Sequence, residues 1–386
     1  MSVLNKTRIK PGEISIGDVL PWPVYDNEEA LLLQKETLIR SEKQLSVILE
    51  KGLYRGLTEK EVSEKKTQVL KKPDIQPKII NVSQMKNTCV EKIELLMQQL
   101  ISSEKVDVIE SVRFISEQIK MACKQNANAV LAAVHLSKET NYAVLHPLHT
   151  AIVCELLMRR LKLSEQQHET VIAAALTMNV GMYALQEELF TQAEPLSAKQ
   201  QKKIHQHPEE SAVILEKNGV NDVHLLDIIR QHHERSDGEG YPRQLKSKQI
   251  HQGAKLIALA DMYSAMITRR AYRKPILAHT ALRDIFTERG KSVDDHLTQL
   301  LVREIGIYPP GSFVKLMGGD TAIVIKRAIV KKDRNATAPV VCCLISPRGG
   351  LYENPTMRDS NRDLYKIKEF CEPKFEKPID LMRLWV

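Results

Sequence analysis

The stretch that decides the fold is QHHERSDGEGYP, residues 231–242, in which two adjacent histidines precede a glycine-rich turn. Its glycines and final proline supply turn chemistry, because glycine adopts backbone conformations closed to other residues and proline fixes φ. The segment before it, VHLLDIIRQ, carries apolar residues at three- and four-residue spacing and predicts a helix. We expect that helix to end at the histidines. His232 and His233 can then face one site, although neighbours on a regular helix diverge.

The same helical spacing extends over most of the chain on both sides of this stretch. Short apolar runs between turn residues replace it near the two ends, which is typical of strands. The sequence therefore predicts a mostly α-helical fold in four parts. These are a small α+β module over residues 1–58, a charged linker over 59–82, a helical domain over 83–305 and a β-containing extension over 306–386.

Composition restricts the environment and the partners. No apolar run is long enough to cross a bilayer, and the first residues lack the apolar segment of a signal peptide. Six cysteines without CxxC spacing suit a reducing compartment, so we predict a cytoplasmic protein. The formal net charge of +8 favours anionic partners, with an ordinary solvated surface as the alternative. Basic stretches lack interleaved aromatic residues, so a nucleic-acid polymer is not expected.

Three further residues are candidate ligands for a metal beside the two adjacent histidines. His146 and His207 lie on separate helical segments, and the proline after His207 predicts a helix start there. Asp261 lies among apolar residues in LALADMYSA, where a buried carboxylate needs a partner. Histidine and carboxylate ligands together suit iron, manganese or zinc. For each residue alone, a hydrogen-bonded structural role is the alternative.

Residues 142–312 resemble the HD-GYP domain, a helical family of metal-dependent phosphodiesterases that act on cyclic di-GMP. The resemblance rests on the motifs HPLHTAIVCELLMRRLKL, HQHPEESAVIL, HHERSDGEGYP and LALADMYSAMITRRAYR. It implies a helical bundle and a set of metal ligands, which are His146, His207, His232, His233 and Asp261.

The resemblance also implies that the loop containing Gly240, Tyr241 and Pro242 shapes the substrate site and can contact a signalling protein. Arginines 235, 269 and 273 are candidate phosphate contacts, because a guanidinium binds phosphate through two parallel hydrogen bonds. Surface salt bridges are the alternative for these arginines.

The chain departs from the family at its most characteristic point, in the stretch AALTMNVGM. Met178 and Asn179 stand where the family has its His-Asp pair, and Met182 replaces a lysine, while Gly181 preserves the register. Asn179 offers a neutral oxygen in place of a bridging carboxylate, and the soft thioether of Met178 does not suit hydrolytic metals. Filling of vacated space by apolar bulk is the alternative for both methionines. Tyr142 stands where members with a larger metal cluster have an acid.

These departures leave three hypotheses. The first is a degenerate family member in cyclic di-GMP signalling, with weak or absent phosphodiesterase activity, that acts by nucleotide binding or protein docking. It would hold at most one transition-metal ion, iron or manganese rather than zinc. The alternative is an active metal-dependent phosphodiesterase that produces pGpG or GMP. The third is a helical scaffold that has lost both metal and nucleotide.

Overall fold

The computed structural model describes residues 6–10, 12–26, 30–50, 54–56, 80–102, 106–137, 141–268, 275–328, 338–373, 375 and 379–385. The chain forms two compact units, Met1–Lys78 and Ile79–Val386. Most of the predicted linker lies outside the described residues. The next described helix begins at Val82, which the sequence had placed at the end of the linker.

In its described residues, the N-terminal unit is a small antiparallel sheet with one helix. Its strands are β1 (Lys6–Arg8), β2 (Val24–Tyr25), β3 (Leu31–Leu33) and β4 (Tyr54–Gly56), and helix α1 covers Glu42–Glu50. The strand order is β1-β4-β2-β3. Among its described residues, the buried apolar core consists of Ile9, Ile14, Leu20, Trp22, Val24, Ile39 and Ile48.

The second unit begins with a run of helices that forms one continuous apolar core. The helices are α2 (Val82–Ser102), α3 (Val108–His135), α4 (Tyr142–Met158), α5 (Glu165–Thr177), α6 (Tyr183–Thr191), α7 (Ala198–Lys217), α8 (Val223–Gln231), α9 (Gln252–Ile267), α10 (Ala278–Thr287) and α11 (Asp295–Ile305).

Helix α4 lies at the centre of this bundle. All of its residues from Tyr142 to Met158 are buried, and it packs against α2, α3, α5 and α9. A helix that is apolar on every side is stable in water only when other elements surround it. The run VLHPLHTAIVCELLM therefore carries His146 into the interior of the domain.

Polar caps determine where two site-bearing helices begin. At the start of α7, the side-chain oxygen of Ser197 accepts a hydrogen bond from the backbone N–H of Gln200. The side-chain oxygen of Gln200 in turn accepts from the backbone N–H of Ser197. At the start of α8, Asp222 accepts from the backbone N–H groups of His224 and Leu225. Such caps satisfy amides that have no partner within the helix.

A second antiparallel sheet follows the helices. Its strands are β5 (Phe313–Leu316), β6 (Thr321–Lys326), β7 (Val340–Ile345), β8 (Leu351–Asp359) and β9 (Ile367–Phe370), in the order β8-β7-β6-β5-β9. The β-branched runs of β6 and β7 are buried almost throughout.

Two side chains connect this sheet region to the helices. His135, at the end of α3, lies between the Pro310 carbonyl oxygen, 2.8 Å from Nδ1, and the Tyr263 hydroxyl, 2.7 Å from Nε2. Because a carbonyl only accepts, Nδ1 carries the proton and Nε2 accepts from Tyr263. Near the C-terminus, Trp385 packs against the helical core, and its indole N–H donates to the Ile325 carbonyl oxygen of β6 at 2.9 Å. These bonds help to join the helices and the sheet in one unit.

The predicted fold class is confirmed: the protein is mostly α-helical, with small sheets near both ends of the chain. Among the described helices, none combines the length with the apolar character needed to cross a membrane.

Burial lowers the pKa of His135 from 6.5 to about 4, although its bond to the Pro310 carbonyl opposes the shift. The unfolded ring therefore takes up a proton at a pH where the folded ring does not, so His135 reduces stability as pH falls from about 6.5 towards 4. We expect His135→Gln to be less stable than wild type at pH 8, but to lose less stability on acidification. Urea denaturation at several pH values measures this. Exposed His296→Gln is the control, and an unchanged slope in His135→Gln would contradict the assignment.

Candidate metal centre

His207 lies within α7, and its ring is oriented by a carbonyl that a proline leaves free. The predicted helix start at this position is wrong: α7 begins at Ala198 and continues through Pro208. Proline has no N–H, so the carbonyl of Ile204, four residues earlier, lacks its usual helical donor. The His207 ring supplies the donor instead, with Nδ1 2.6 Å from the Ile204 oxygen. This bond fixes the orientation of the ring. Because Nδ1 carries the proton of the neutral ring, Nε2 presents a lone pair.

His232 is oriented in the same way at a helix end. Helix α8 ends at Gln231, so its last carbonyls have no partner within the helix. One of them, the Ile229 carbonyl, accepts from Nδ1 of His232 at 2.6 Å. His233 follows in the chain, with its ring centre 4.2 Å from that of His232. The helix end therefore directs two consecutive imidazoles towards one region.

The Nε2 atoms of His207 and His232 face each other at 3.2 Å. Since both rings donate through Nδ1, both Nε2 atoms present lone pairs and neither can donate to the other. Two nitrogens that each lie about 2.1 Å from one ion, at roughly 90–109° to each other, are about 3.0–3.4 Å apart. A ligand nitrogen of His233 lies within 4.8 Å of both. We call His207, His232 and His233 the histidine cluster, and its geometry fits one ion.

The cluster is held in the uncharged form that binds metals. Burial, together with the neighbouring His232, lowers the pKa of His207 to about 3. Burial and the other two rings lower the pKa of His233 well below its usual range, and burial lowers that of His232 as well. Neutral imidazole is the ligand form of histidine.

His146 and Asp261 form a second pair beside the cluster. Helices α4 and α9 pack together and bring Nε2 of His146 to 2.5 Å from Oδ1 of Asp261. Burial alone would raise the pKa of Asp261, but His146 and the nearby histidines hold it below its usual range. Asp261 is therefore a carboxylate. The Tyr142 ring stacks on His146, with ring centres 4.8 Å apart.

The glycine-rich loop after the histidines is fixed by a buried carboxylate and a close backbone approach. Glu234 accepts from the backbone N–H groups of Arg243 at 2.6 Å and Leu245 at 2.8 Å. At Gly240, an added Cβ would lie 2.3 Å from the backbone nitrogen of Arg235. No side chain fits there, so this position requires glycine.

The predicted substrate contacts are not all brought to one place. The Tyr241 ring stacks between His233 and His205, with ring centres 4.7 and 4.5 Å away. Arg235 instead binds Asp237 through two bonds of 2.6 and 3.2 Å, with its guanidinium directed along the loop. Neither Gly240 nor Pro242 lines the cavity beside the histidines. Arg269 and Arg273 lie outside the described residues.

The residues at the family's His-Asp position separate into core and cavity. Met178 is fully buried in the apolar core, and Val180, two residues later, is also buried there. Asn179 and Met182 line the cavity, and the Asn179 Oδ1 atom is buried without a hydrogen-bond partner. Gly181 packs so closely on α7 that an added Cβ would lie 2.8 Å from the backbone nitrogen of Ser211.

The cavity has a volume of about 490 Å³, within the roughly 300–1,000 Å³ common for small-molecule sites. His146, His207, His233 and Asp261 line one part of it. Among the described lining residues there is no lysine or arginine. Phosphate groups would therefore depend on a metal ion, or on parts of the chain that are not described, for a positive charge.

Sequence reasoning missed the cavity wall that α6 supplies. Met182, Gln186, Leu189 and Phe190 all line it, three and four residues apart on and just before α6. That spacing is the available signal, because it places all four on one helix face. Gln186 is the polar member of this otherwise apolar stripe.

We expect Gly240→Ala to break the loop, because its methyl group would meet backbone atoms that cannot move independently. Gly238→Ala is the matched control. Its φ of +86° makes alanine cost roughly 1 kcal/mol, but the nearest atoms belong to the flexible Lys246 side chain. Thermal unfolding and cobalt titration should both show a larger loss for Gly240→Ala. Equal effects would contradict the close approach.

We expect His232→Ala to weaken binding of Co²⁺ or Mn²⁺ by more than about 100-fold, since even residues that only orient a metal ligand are typically worth 10–100-fold. Calorimetric titration of chelator-treated protein measures this. Exposed His224→Ala, on the same helix, is the control and should bind like wild type. Unchanged affinity in His232→Ala would contradict the proposed site.

Comparison with known proteins concerns the family to which the chain is similar. The sequence model of the HD domain matches residues 96–297. A cyclic di-GMP phosphodiesterase of Pseudomonas aeruginosa is 27% identical over 212 residues, which are 55% of this chain and 51% of that protein. A 3'3'-cGAMP-specific phosphodiesterase of Vibrio cholerae is 24% identical over 212 residues, 54% and 39% of the two chains. The chain thus spans about half of the first relative and 39% of the second.

Among solved structures, an HDG"Y"P protein from Bdellovibrio bacteriovorus is similar with a TM-score of 0.49 and 16% identity, over 77% of this chain and 98% of that one. The HD domain match includes every residue of the histidine cluster and the His146–Asp261 pair. Because that match covers more than half of the chain, the protein belongs to the HD domain family.

Proposed function

We propose that this chain is a degenerate HD-GYP protein of cyclic di-GMP signalling. In this proposal it binds the nucleotide, holds at most one metal ion and hydrolyses little or none of its ligand. The observation that carries the proposal is Asn179, a neutral amide that lines the cavity where the family resemblance expects a bridging carboxylate. The cytoplasmic location predicted from the cysteines remains part of the proposal.

The charge of the cavity argues against a second ion. Its described carboxylates are Asp261, which is bound to His146, and Glu194, which is exposed. Two-metal hydrolysis needs two ions a few ångströms apart to stabilise both the attacking and the leaving oxygen. An amide carbonyl at position 179 supplies no negative charge to hold such a pair together. The Met182 thioether also supplies no positive charge for a phosphate.

A single ion, by contrast, has suitable ligands in this cavity. The histidine cluster, with His146 and Asp261 beside it, provides the nitrogen and carboxylate ligands that suit iron or manganese. When bound, such an ion supplies positive charge for a phosphate group and acidifies water. The protein supplies the orientation: the Ile204 and Ile229 carbonyls fix two of the rings.

The nucleotide class comes from the relatives, which are named for cyclic di-GMP and 3'3'-cGAMP. A protein partner would meet the outward side chains of the glycine-rich loop. Glu239 is exposed there, whereas the Tyr241 ring is occupied by its two stacking contacts. Docking through the loop would therefore rely on charged side chains such as Glu239 and Arg235.

Active hydrolysis is the second candidate, and the fit of the cluster to one ion favours it.

On the proposed function, we expect wild type to hydrolyse cyclic di-GMP at background level with added Mn²⁺ or Fe²⁺. Loss of a single stabilising group typically costs about a hundredfold or more, and three positions have changed. Nucleotide products are measured by chromatography. Robust turnover by wild type that His233→Ala abolishes would establish the active enzyme instead.

The converse variant tests the reason for inactivity. Asn179→Asp with Met182→Lys changes two residues that line the cavity, and should raise metal content above one ion and give measurable hydrolysis. Adding Met178→His completes the family pattern, but places a polar ring at a fully buried position. The double variant is therefore the cleaner test. No gain in metal or hydrolysis in either variant would show that the loss lies elsewhere.

A further inference from the structure

We infer that the cavity wall formed by α6 binds a guanine base, with the side-chain amide oxygens of Gln186 and Asn179 accepting hydrogen bonds from the base. This inference rests on the proposed function for the nucleotide class. It adds which part of the nucleotide this wall contacts and which base it selects.

The first observation is a pair of unsatisfied acceptors. The Gln186 Oε1 and Asn179 Oδ1 atoms are buried and have no hydrogen-bond partner. Their residues are only 5% and 6% exposed, yet both line the cavity. A buried acceptor without a donor is unfavourable, and proteins keep such groups where a ligand completes the bond. The missing partner of each oxygen is a donor, which the N–H groups of a base provide.

The second observation is the flat, apolar character of the same wall. Phe190 supplies the aromatic ring of this wall, whereas Tyr142, 5.9 Å from it with planes at 18°, is already engaged by stacking on both Phe190 and His146. Leu189 and Met182 continue the apolar surface. Aromatic and apolar side chains favour a planar heteroaromatic ring, because every base has a π-face that stacks on them.

The third observation is charge. The described lining residues include carboxylates but no lysine or arginine, so this wall does not attract a phosphate. The histidine cluster, which fits a cation and lines the same cavity through His207 and His233, is the positive element available to a phosphate. The phosphates would be bound there, and the base would be bound against α6.

The choice of base follows from hydrogen-bond direction. Guanine presents two neighbouring donors, the N1–H and the 2-amino group, whereas adenine places ring acceptors beside its amino group. With both oxygens directed at the ligand, the two amides complement guanine, whereas adenine would require one amide to turn its NH2 group towards the ring nitrogen. Both cyclic dinucleotides named for the relatives contain guanine.

Nucleosides provide the direct test, because without phosphates their binding does not need the metal. Chelator-treated full-length protein is titrated with guanosine, inosine and adenosine, and binding is followed by ligand-observed NMR. We expect guanosine to bind about tenfold more tightly than adenosine, with inosine, which lacks the 2-amino group, in between. Equal binding of guanosine and adenosine would overturn the inference.

Variants of Gln186 test the residue. Gln186→Met should weaken guanosine binding about tenfold, whereas Gln186→Glu, which keeps acceptor oxygens, should retain it. Gln186→Met should not lower the melting temperature, because it removes an unsatisfied buried acceptor. Gln299→Met, at an exposed helix position, is the matched control. Unchanged guanosine binding in Gln186→Met would also overturn the inference.

Cyclic di-GMP, titrated with Mn²⁺ present, separates this inference from the proposed function. Tight binding that Gln186→Met leaves unchanged would reject the base site and preserve the proposed function. Guanosine binding that depends on Gln186, without binding of cyclic di-GMP, would preserve the base site and reject the proposed function. Binding of neither ligand would reject both.

Discussion

The site depends on two imidazole nitrogens, Nε2 of His207 and Nε2 of His232, that face each other at 3.2 Å with a lone pair on each. This contact is unfavourable unless a cation lies between the rings. Burial lowers the pKa of both rings and so disfavours a proton in that position. Much of the surrounding structure holds the rings in place. Pro208 releases one orienting carbonyl, the end of α8 releases the other, and Glu234 fixes the loop that follows. Backbone contacts thus hold the histidine cluster in the orientation that metal binding would require.

The cavity is lined by a carboxylate and an amide that differ in charge. Asp261 is anionic and supports the histidines, while Asn179 brings only a neutral oxygen to the cavity. The cavity lining thus combines candidate metal ligands with an apolar surface formed by Met182, Leu189 and Phe190. On the proposed function, such a cavity would bind a nucleotide through base and phosphate together, with little of the charge that hydrolysis requires.

Much of this could be predicted from the sequence, for physical reasons that particular residues illustrate. Apolar spacing predicted the helices, and turn residues predicted the small sheets. The helix start at His207 was wrong, because a local rule about proline cannot foresee that a neighbouring ring replaces the lost donor. The loop conformation directs Arg235 to Asp237, which residue type alone does not reveal. Gln186 was missed, because an unsatisfied acceptor becomes visible only when its surroundings are known. The metal ligands and the domain boundaries stay predictions.

The most direct test of the central claim is the protonation state of the two facing rings. In metal-free protein at pH 7, ¹⁵N NMR of the histidine side chains, assigned with His207→Gln and His232→Gln, should show both rings neutral with the proton on Nδ1. One equivalent of Zn²⁺, used as a diamagnetic probe, should then shift both Nε2 resonances together. A proton on Nε2 of either ring, or a charged ring at pH 7, would contradict the account.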